Sequence, residues 1–412
     1  MKNWARNISY NEKKVVYPNS IEEIQEIVKS NSKIRARGSS HTFNELSDTT
    51  GIAIMFTNIN KNIIINEEKL TTTLDAGINF QDASKYLHEK GWSFKNLPSL
   101  PEISIVGAIS TGSHGSGKYN NIFSQNVISF DLILHDGSIK NISAEDGEIF
   151  KAMKVNLGVF GVIIKVELLI EHSFKLAQVL YIDLSSEKFE NNMIELMSCG
   201  YSVSYFTKLG DDSLGDLLVK YEKNTEVADE IYGCKKSLHP RYPCNISKSN
   251  SCTPQLGRFL PCGEILPHFI PESEYSISGN EIQSEYFVDT RYAYEAFNAI
   301  KSISYKLRDF LKLLEVRIVS ADDIWLSGAY HQHSIAFHFS WTIDPLLEEI
   351  IKGVEHVLET FNYRPHWGKM FYSTSAYLKS VYPKFDDFQR LMKSIDPTGK
   401  FSNNMLERIF TT

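Results

Sequence analysis

Glu315 and Arg317 stand two residues apart in the run Leu313 to Val319, whose alternation reads as a β-strand. Strand residues two apart share a face, so a carboxylate and a guanidinium point the same way. A second alternating run, Ser334 to Ile343, puts His338, Ser340 and Thr342 on one face and Ile335, Phe337, Phe339, Trp341 and Ile343 on the other. Two strands thus each offer a polar stripe backed by an apolar one. A solvated sheet face gives a similar pattern, but such stripes carry Lys, Glu and Thr more often than histidine. A third segment, Arg364-Pro365-His366-Trp367-Gly368-Lys369-Met370-Phe371, places two cations, an imidazole and an indole close together. That composition suits a binding segment, with aromatic surface for a sugar or flavin ring and cationic donors for oxygen atoms. Arg317 and Lys369 are cations suited to stabilising developing negative charge, and Glu315 can fix Arg317. Two residues compete as base: His338, with its convenient ordinary pKa, and Lys369, whose pKa burial lowers.

Two small-residue runs could hold a cofactor. Gly112-Ser113-His114-Gly115-Ser116-Gly117-Lys118 contains G-x4-G-K, the start of a P-loop. A P-loop continues with Ser or Thr and then a helix, whereas Tyr119-Asn120-Asn121 follows here, so triphosphate hydrolysis is not expected. Small residues from Gly107 to Gly117 still let backbone approach a ligand, and successive N–H groups in such a run can cradle a pyrophosphate. The other run, Arg37-Gly38-Ser39-Ser40-His41-Thr42-Phe43-Asn44, follows a strand directly. Either run alone would be a plain turn; together they suggest a dinucleotide cradle. It is not a Rossmann one, because no G-x-G-x-x-G follows a first strand.

Helix and strand signals alternate over the first 170 residues. Ser20-Ile21-Glu22-Glu23 reads as a capping box ahead of an apolar stripe at Ile21, Ile24, Ile27 and Val28. Strands are expected at Lys33–Arg37, Gly51–Phe56, Asn62–Ile65, Leu70–Ala76 and Gly161–Leu169, a helix from Asn79 to Gly91, and a hairpin at Val127–Leu134 and Ser138–Ile142. From about Phe174 the strands lengthen: Lys175–Leu184, Tyr201–Leu209, Leu217–Tyr221 and Gln283–Val288, besides the two above. Helices are expected at Arg291–Leu311 and Pro345–Phe361. This predicts an α+β unit, one antiparallel sheet with helices on one face. Residues 222 to 275 read as a long irregular insertion, a lid or binding loop.

With 412 residues there is room for two domains. The net charge of −7 argues against a nucleic-acid partner, which would need a basic face. The most apolar stretch, Leu157 to Ile170, is broken by Lys165 and Glu167 and is too short to span a bilayer, so no membrane association is expected. Nothing near Met1 resembles a signal peptide, and a cytoplasmic monomer is expected. Cys234, Cys244, Cys252 and Cys262 cluster, but their spacings of ten, eight and ten do not suit zinc; with Cys199 they read as reduced thiols, and no metal is expected.

These segments together resemble the vanillyl-alcohol-oxidase type of FAD flavoproteins, and within it the alditol oxidases. They are Gly38-Ser39-Ser40-His41-Thr42-Phe43-Asn44-Glu45, Ser99-Leu100-Pro101-Glu102-Ile103-Ser104, Thr111-Gly112-Ser113-His114-Gly115-Ser116-Gly117, Leu314-Glu315-Val316-Arg317 and Arg364-Pro365-His366-Trp367-Gly368-Lys369. The first and third are shared with aldonolactone oxidases; the last two are specific to the alditol branch. The resemblance implies an FAD-binding domain of the PCMH type at residues 1–173, a substrate-binding cap at 174–370, and a segment, 371–412, that returns to the first domain. It implies a covalent bond from the flavin 8α-methyl group to a ring nitrogen of His41. It implies a pyrophosphate held by Ala36, Arg37, Gly38, Ser39, Ser40, His41 and Thr42 and by Thr111, Gly112, Ser113 and His114. Ser99, Ser104, Gly107 and Ile163 would also line the cofactor. Ser99, Glu315, Arg317, His338, Ser340 and Lys369 would surround a polyol, oxidised with molecular oxygen as acceptor. An aldonolactone oxidase or dehydrogenase and a non-catalytic flavin- or ligand-binding protein are the competing readings. Two departures stand out: Ser39-Ser40-His41-Thr42 replaces the family's Ser-Gly-His-Ser, and Ser340 stands where alditol oxidases more often carry Thr.

Overall fold

The structure is a computed structural model that describes residues 1–210, 213–245, 251–273 and 279–410. β1 (Lys14–Val16), β2 (Ile34–Arg37) and β3 (Ile52–Met55) form a small parallel sheet in the order β1-β3-β2. The crossover between β1 and β2 is α1 (Ile21–Ser30). Its stripe of Ile24 and Val28 is buried against Ile34 and Ile54, which fixes the sheet's face. Ser20 Oγ accepts from Glu23 N–H at 3.2 Å, but Glu23 reaches back to Asn19 N–H, at 2.8 Å, so the expected capping box closes one residue early.

β4 (Ile63–Asn66), β5 (Thr71–Asp75), β6 (Val127–Ile133), β7 (Ile139–Ser143) and β8 (Val162–Leu169) form a second, antiparallel sheet in the order β4-β5-β8-β6-β7. The expected hairpin is β6 with β7, Asp131 facing Asn141. α2 (Phe80–Glu89) starts at Asn79, whose side chain accepts from Asp82 N–H at 2.7 Å. A short helix with no strong sequence signal, α3 (Ile105–Ser110), follows.

Trp92–Ser93 pairs with Glu171–His172 as a small separate ribbon, and the rest of the described β structure is one ten-stranded antiparallel sheet. It comprises β9 (Lys175–Ser185), β10 (Ser202–Thr207), β11 (Leu214–Glu222), β12 (Glu230–Ile231), β13 (Cys234–Lys236), β14 (Leu256–Pro261), β15 (Ile282–Asp289), β16 (Leu311–Val319), β17 (Ser334–Trp341) and β18 (Arg364–Pro365). The order is β12-β13-β9-β11-β10-β16-β17-β15-β18, with β14 also pairing β9. α4 (Ala293–Ser302) and α5 (Leu347–Leu358) cover one face, Phe297 meeting Phe337 and Tyr286 OH donating to Glu355 at 3.1 Å. That leaves the other face free for a site.

Two expectations need correction here. The described part of residues 222–275 is not irregular throughout (246–250 and 274–275 lie outside the described residues): β13 and β14 pair with β9, and β12 pairs with β13. The helix expected at Arg291–Leu311 breaks at Ile303, resumes for one turn at Ser304–Leu307 and gives way to strand at Leu311, which pairs with Trp341. Strand pairing outweighs local helix propensity at its end.

α6 (Ser375–Val381), α7 (Phe385–Ile395) and α8 (Asn404–Phe410) complete the chain. The final segment is tied to the first sheet. Lys400 Nζ donates to Val28 O and His135 O, and Asn403 Nδ2 to the carbonyls of Glu45, Leu46 and Asp48. Buried Arg35 donates to Phe401 O at 2.8 Å. Among the described residues no helix is long and apolar enough to cross a membrane.

Candidate active site

β2 ends at Arg37 and the chain turns through Gly38–Thr42. Ser39 Oγ accepts from Ser104 N–H at 3.0 Å, which docks the turn on the N-terminus of α3. The approach is so close that a Cβ at position 38 would fall 2.0 Å from Ser104 Oγ, so only glycine fits. Ser40 takes a left-handed φ of 59°. The main-chain N–H groups of Ser39, Ser40, His41 and Thr42 have no partner among the described residues. Unpaired donors in succession suit an anion such as a pyrophosphate. The second small-residue run behaves otherwise: the N–H groups of Thr111, Gly112 and Ser113 already donate to carbonyls of Ala108 and Ile109. Unpaired donors are thus found in the first run, while Thr111 and Ser113 contribute to the cavity wall.

One cavity joins this turn to the open face of the large sheet. Ala36, Arg37, Gly38, Ser39, Ser40, His41, Thr42, Ser99, Ser104, Gly107, Thr111, Ser113, His114 and Ile163 all line it, as do Glu315, Arg317, His338, Ser340 and Lys369. Of the expected residues only Gly112 does not, because the turn carries it behind the wall toward Val155. The His41 ring stacks on Trp4 with centroids 5.2 Å apart, and its Nδ1 lies 3.0 Å from Ser39 O. Burial pushes its pKa down to about 4, so the ring is neutral at neutral pH with a nitrogen lone pair available. Phe43 N–H donates to Gly368 O at 2.9 Å, and Asn44 Nδ2 donates to the carbonyls of Trp367 and Lys369 at 2.8 and 2.7 Å. The His41 turn therefore sets the position of Lys369.

Strand register assembles the opposite wall. Glu285 faces His338, which faces Glu315; one step along, Gln283 faces Ser340, which faces Leu313. Glu285, which the sequence did not single out, is the hub. Its Oε1 lies 2.7 Å from Arg317 Nη2 and 3.2 Å from His114 Nε2, and its Oε2 lies 2.7 Å from Lys369 Nζ. Burial alone would raise its pKa, but Arg317 and Lys369 hold it well below the usual carboxylate range. Glu315 is the lesser partner of Arg317, at 3.7 Å; its Oε2 sits 3.1 Å from His338 Nδ1. The expectation that Glu315 fixes Arg317 is thus corrected: Glu285 does so, and Glu315 orients His338. A Glu315 carboxylate at Nδ1 makes that nitrogen the donor and leaves the lone pair on Nε2, which is buried and without a protein partner. Burial first, then Lys369, lowers the His338 pKa and keeps the ring neutral. Burial also lowers the pKa of Lys369, against the pull of Glu285.

His268, from the segment between β14 and β15, was also missed. Its Nδ1 lies 3.2 Å from Ser99 Oγ and 3.6 Å from Glu315 Oε1, bridging the two walls. It stands in a Pro-flanked stretch with no periodicity to mark it. Glu285 had a faint signal, a carboxylate inside an otherwise alternating strand.

Only part of the segment from Arg364 to Phe371 faces the cavity. His366, Gly368 and Lys369 line it. Trp367 is buried away from it, donates from Nε1 to Leu326 O at 2.8 Å and packs on Phe371, Tyr382 and Phe410. Arg364 donates to Val381 O and Tyr330 O. Both are anchors of the fold, not the ring platform that composition suggested. His114, Glu285 and His366 bring possible ligand atoms within 4.8 Å of one another, but Arg317 and Lys369 already neutralise that carboxylate and would repel a metal ion. The five cysteines are free thiols.

Residues 13–143 match the family model described as FAD binding domain, and residues 275–409 that of D-arabinono-1,4-lactone oxidase. Alditol oxidase of Streptomyces sp. is 31% identical over 408 residues, 98% of this chain and 97% of that protein. L-gulonolactone oxidase of Mus musculus is 24% identical, over 99% of this chain and 97% of its own length. A solvent-stable cholesterol oxidase superposes with a TM-score of 0.80 over 99% of this chain and 96% of that one, at 15% identity, a likeness of fold alone. The fold is therefore of the PCMH type and the cofactor is FAD, for which the unpaired donors of Ser39–Thr42 are suited. The chain belongs to the vanillyl-alcohol-oxidase-type family of FAD flavoproteins, in which it is most akin to alditol oxidase among the relatives described here.

Proposed function

We propose that the protein oxidises a terminal hydroxyl of a linear polyol, such as xylitol or sorbitol, to the aldose, with oxygen reduced to hydrogen peroxide. The observation that carries this reading is the His338–Glu315 pair beside two cations, on the wall facing the cofactor cradle. FAD, held by the unpaired donors of Ser39–Thr42, would supply the two-electron acceptor for the carbinol hydride, with oxygen as the final oxidant reduced to hydrogen peroxide. His338 Nε2 takes the hydroxyl proton, and ionised Glu315 stabilises the imidazolium that results. Arg317 and Lys369, held by Glu285, stabilise negative charge on the oxygen as the proton leaves. Ser99, Ser340 and Gln283 offer hydrogen bonds to the remaining hydroxyls. Adjacent hydroxyls can engage Glu315, Arg317 and Lys369 at once, which a monohydric alcohol cannot do. We further propose that the neutral His41 ring is the site of covalent FAD attachment.

An aldonolactone substrate is the second reading, favoured by the match of residues 275–409 to the lactone-oxidase model. The two are separated by anaerobic mixing with xylitol, sorbitol and a panel of aldonolactones while FAD absorbance is followed. Bleaching by the polyols supports the first reading; bleaching by lactones alone replaces it with the second. No bleaching by either class overturns both.

A further inference from the structure

Beside its polar wall the same cavity has an apolar one. Leu180, Phe206, Leu218, Tyr242, Cys252, Phe269 and Leu313 form a hydrophobic cluster separate from the two larger cores. Most such clusters close on themselves. Here Phe206, Leu218, Tyr242, Phe269 and Leu313 line the cavity that also holds Glu315 and His338, joined by Leu100 from the cofactor side. The boundary between the two walls is set by register. Phe206 on β10 lies opposite Glu315 on β16, and Leu313 lies opposite Ser340 on β17. The polar surface thus ends within β16, between Glu315 and Leu313, and the apolar surface continues onto Phe206 of β10. The segment between β11 and β15 supplies the other half, Tyr242 stacking on Phe269 with centroids 5.4 Å apart.

A polyol with a hydroxyl on every carbon fills only the polar part. Pressed against Phe206, Leu218 and Leu313, its distal hydroxyls would lose water without gaining partners, which is unfavourable. We infer that the cavity takes a polyol head whose far end carries a short alkyl or aryl group, the head against Glu315, Arg317 and His338 and the apolar end against Phe206, Leu218 and Phe269. This rests on the polyol reading above and narrows it.

The test uses the FAD-loaded enzyme and the 1-O-alkyl ethers of glycerol, from methyl to hexyl, with xylitol alongside. Anaerobic FAD reduction gives kcat/KM for each. Burying each added methylene should raise kcat/KM about fourfold, until the wall is covered, and Leu218→Ala should flatten the rise. A series that stays flat or falls with chain length, while xylitol reduces the FAD, overturns the inference and leaves the polyol reading standing. FAD that neither xylitol nor any ether reduces overturns the polyol reading, and the inference with it.

Discussion

Glu285→Gln keeps the shape of the hub and removes its charge. In the wild type one carboxylate serves two cations, Arg317 at 2.7 Å from one oxygen and Lys369 at 2.7 Å from the other. A Gln side chain has a single acceptor oxygen, so one cation keeps a partner and the other faces an NH2 group. Breaking a buried pair by removing one partner destabilises a protein by about 3–5 kcal/mol. Lys369 has an escape that Arg317 lacks: burial already lowers its pKa, and Glu285 is the strongest group opposing that. Without Glu285 its pKa falls further, which weakens the positive charge held at the substrate oxygen. Loss of one such stabilising donor lowers a rate by about 10²- to 10³-fold. The assay is anaerobic stopped-flow reduction of FAD by xylitol from pH 5.5 to 9, with FAD content and thermal unfolding measured on the same samples. The expected result is reduction slowed about 10²-fold at neutral pH, partly recovered at lower pH, where Lys369 is more fully protonated. Wild-type rates and unchanged unfolding temperature in Glu285→Gln would refute the hub.

Three further outcomes are expected. Acid precipitation of the wild type should leave a yellow pellet with FAD attached, and His41→Ala should release its flavin to the supernatant; a colourless wild-type pellet would exclude the covalent bond while leaving FAD use intact. His268 and His366 are buried and neutral, the pKa of His268 pushed down to about 3 by burial and then Lys220, so below pH 6.5 the unfolded chain takes up protons that the folded chain does not. Measured against a His268→Asn variant, the wild type should therefore lose stability as pH falls from 6.5 toward about 4, by up to about 1.4 kcal/mol per pH unit; a difference between the two that does not change with pH in that window would contradict a buried neutral His268. Trp367→Ala should lower stability by about 3–5 kcal/mol, as for other large core side chains, which a denaturation curve reads directly; an effect on substrate KM with stability unchanged would restore it to the site.

Local signals carried much of the architecture. Alternation located β16 and β17, and with them Glu315, Arg317, His338 and Ser340, because one face of a half-buried strand writes period two into the chain. The His41 turn was legible from its small residues after a strand. What local pattern cannot show is which strand lies beside which. Glu285 matters only because β15 pairs β17 and brings it opposite His338, and His268 only because a loop folds over Ser99. The same limit explains Trp367: a segment rich in cations and aromatics looks like a binding loop until its packing against Phe371, Tyr382 and Phe410 is known. Edge pairing of β12 to β14 was hidden for the same reason.

The most direct measurement is the rate of anaerobic FAD reduction by xylitol in Arg317→Ala and Lys369→Ala, each compared with the wild type at equal FAD content. A slowing of about 10²-fold or more in both, with FAD still bound, is the predicted result. Reduction at the wild-type rate in both variants would place the oxidising site elsewhere in the protein.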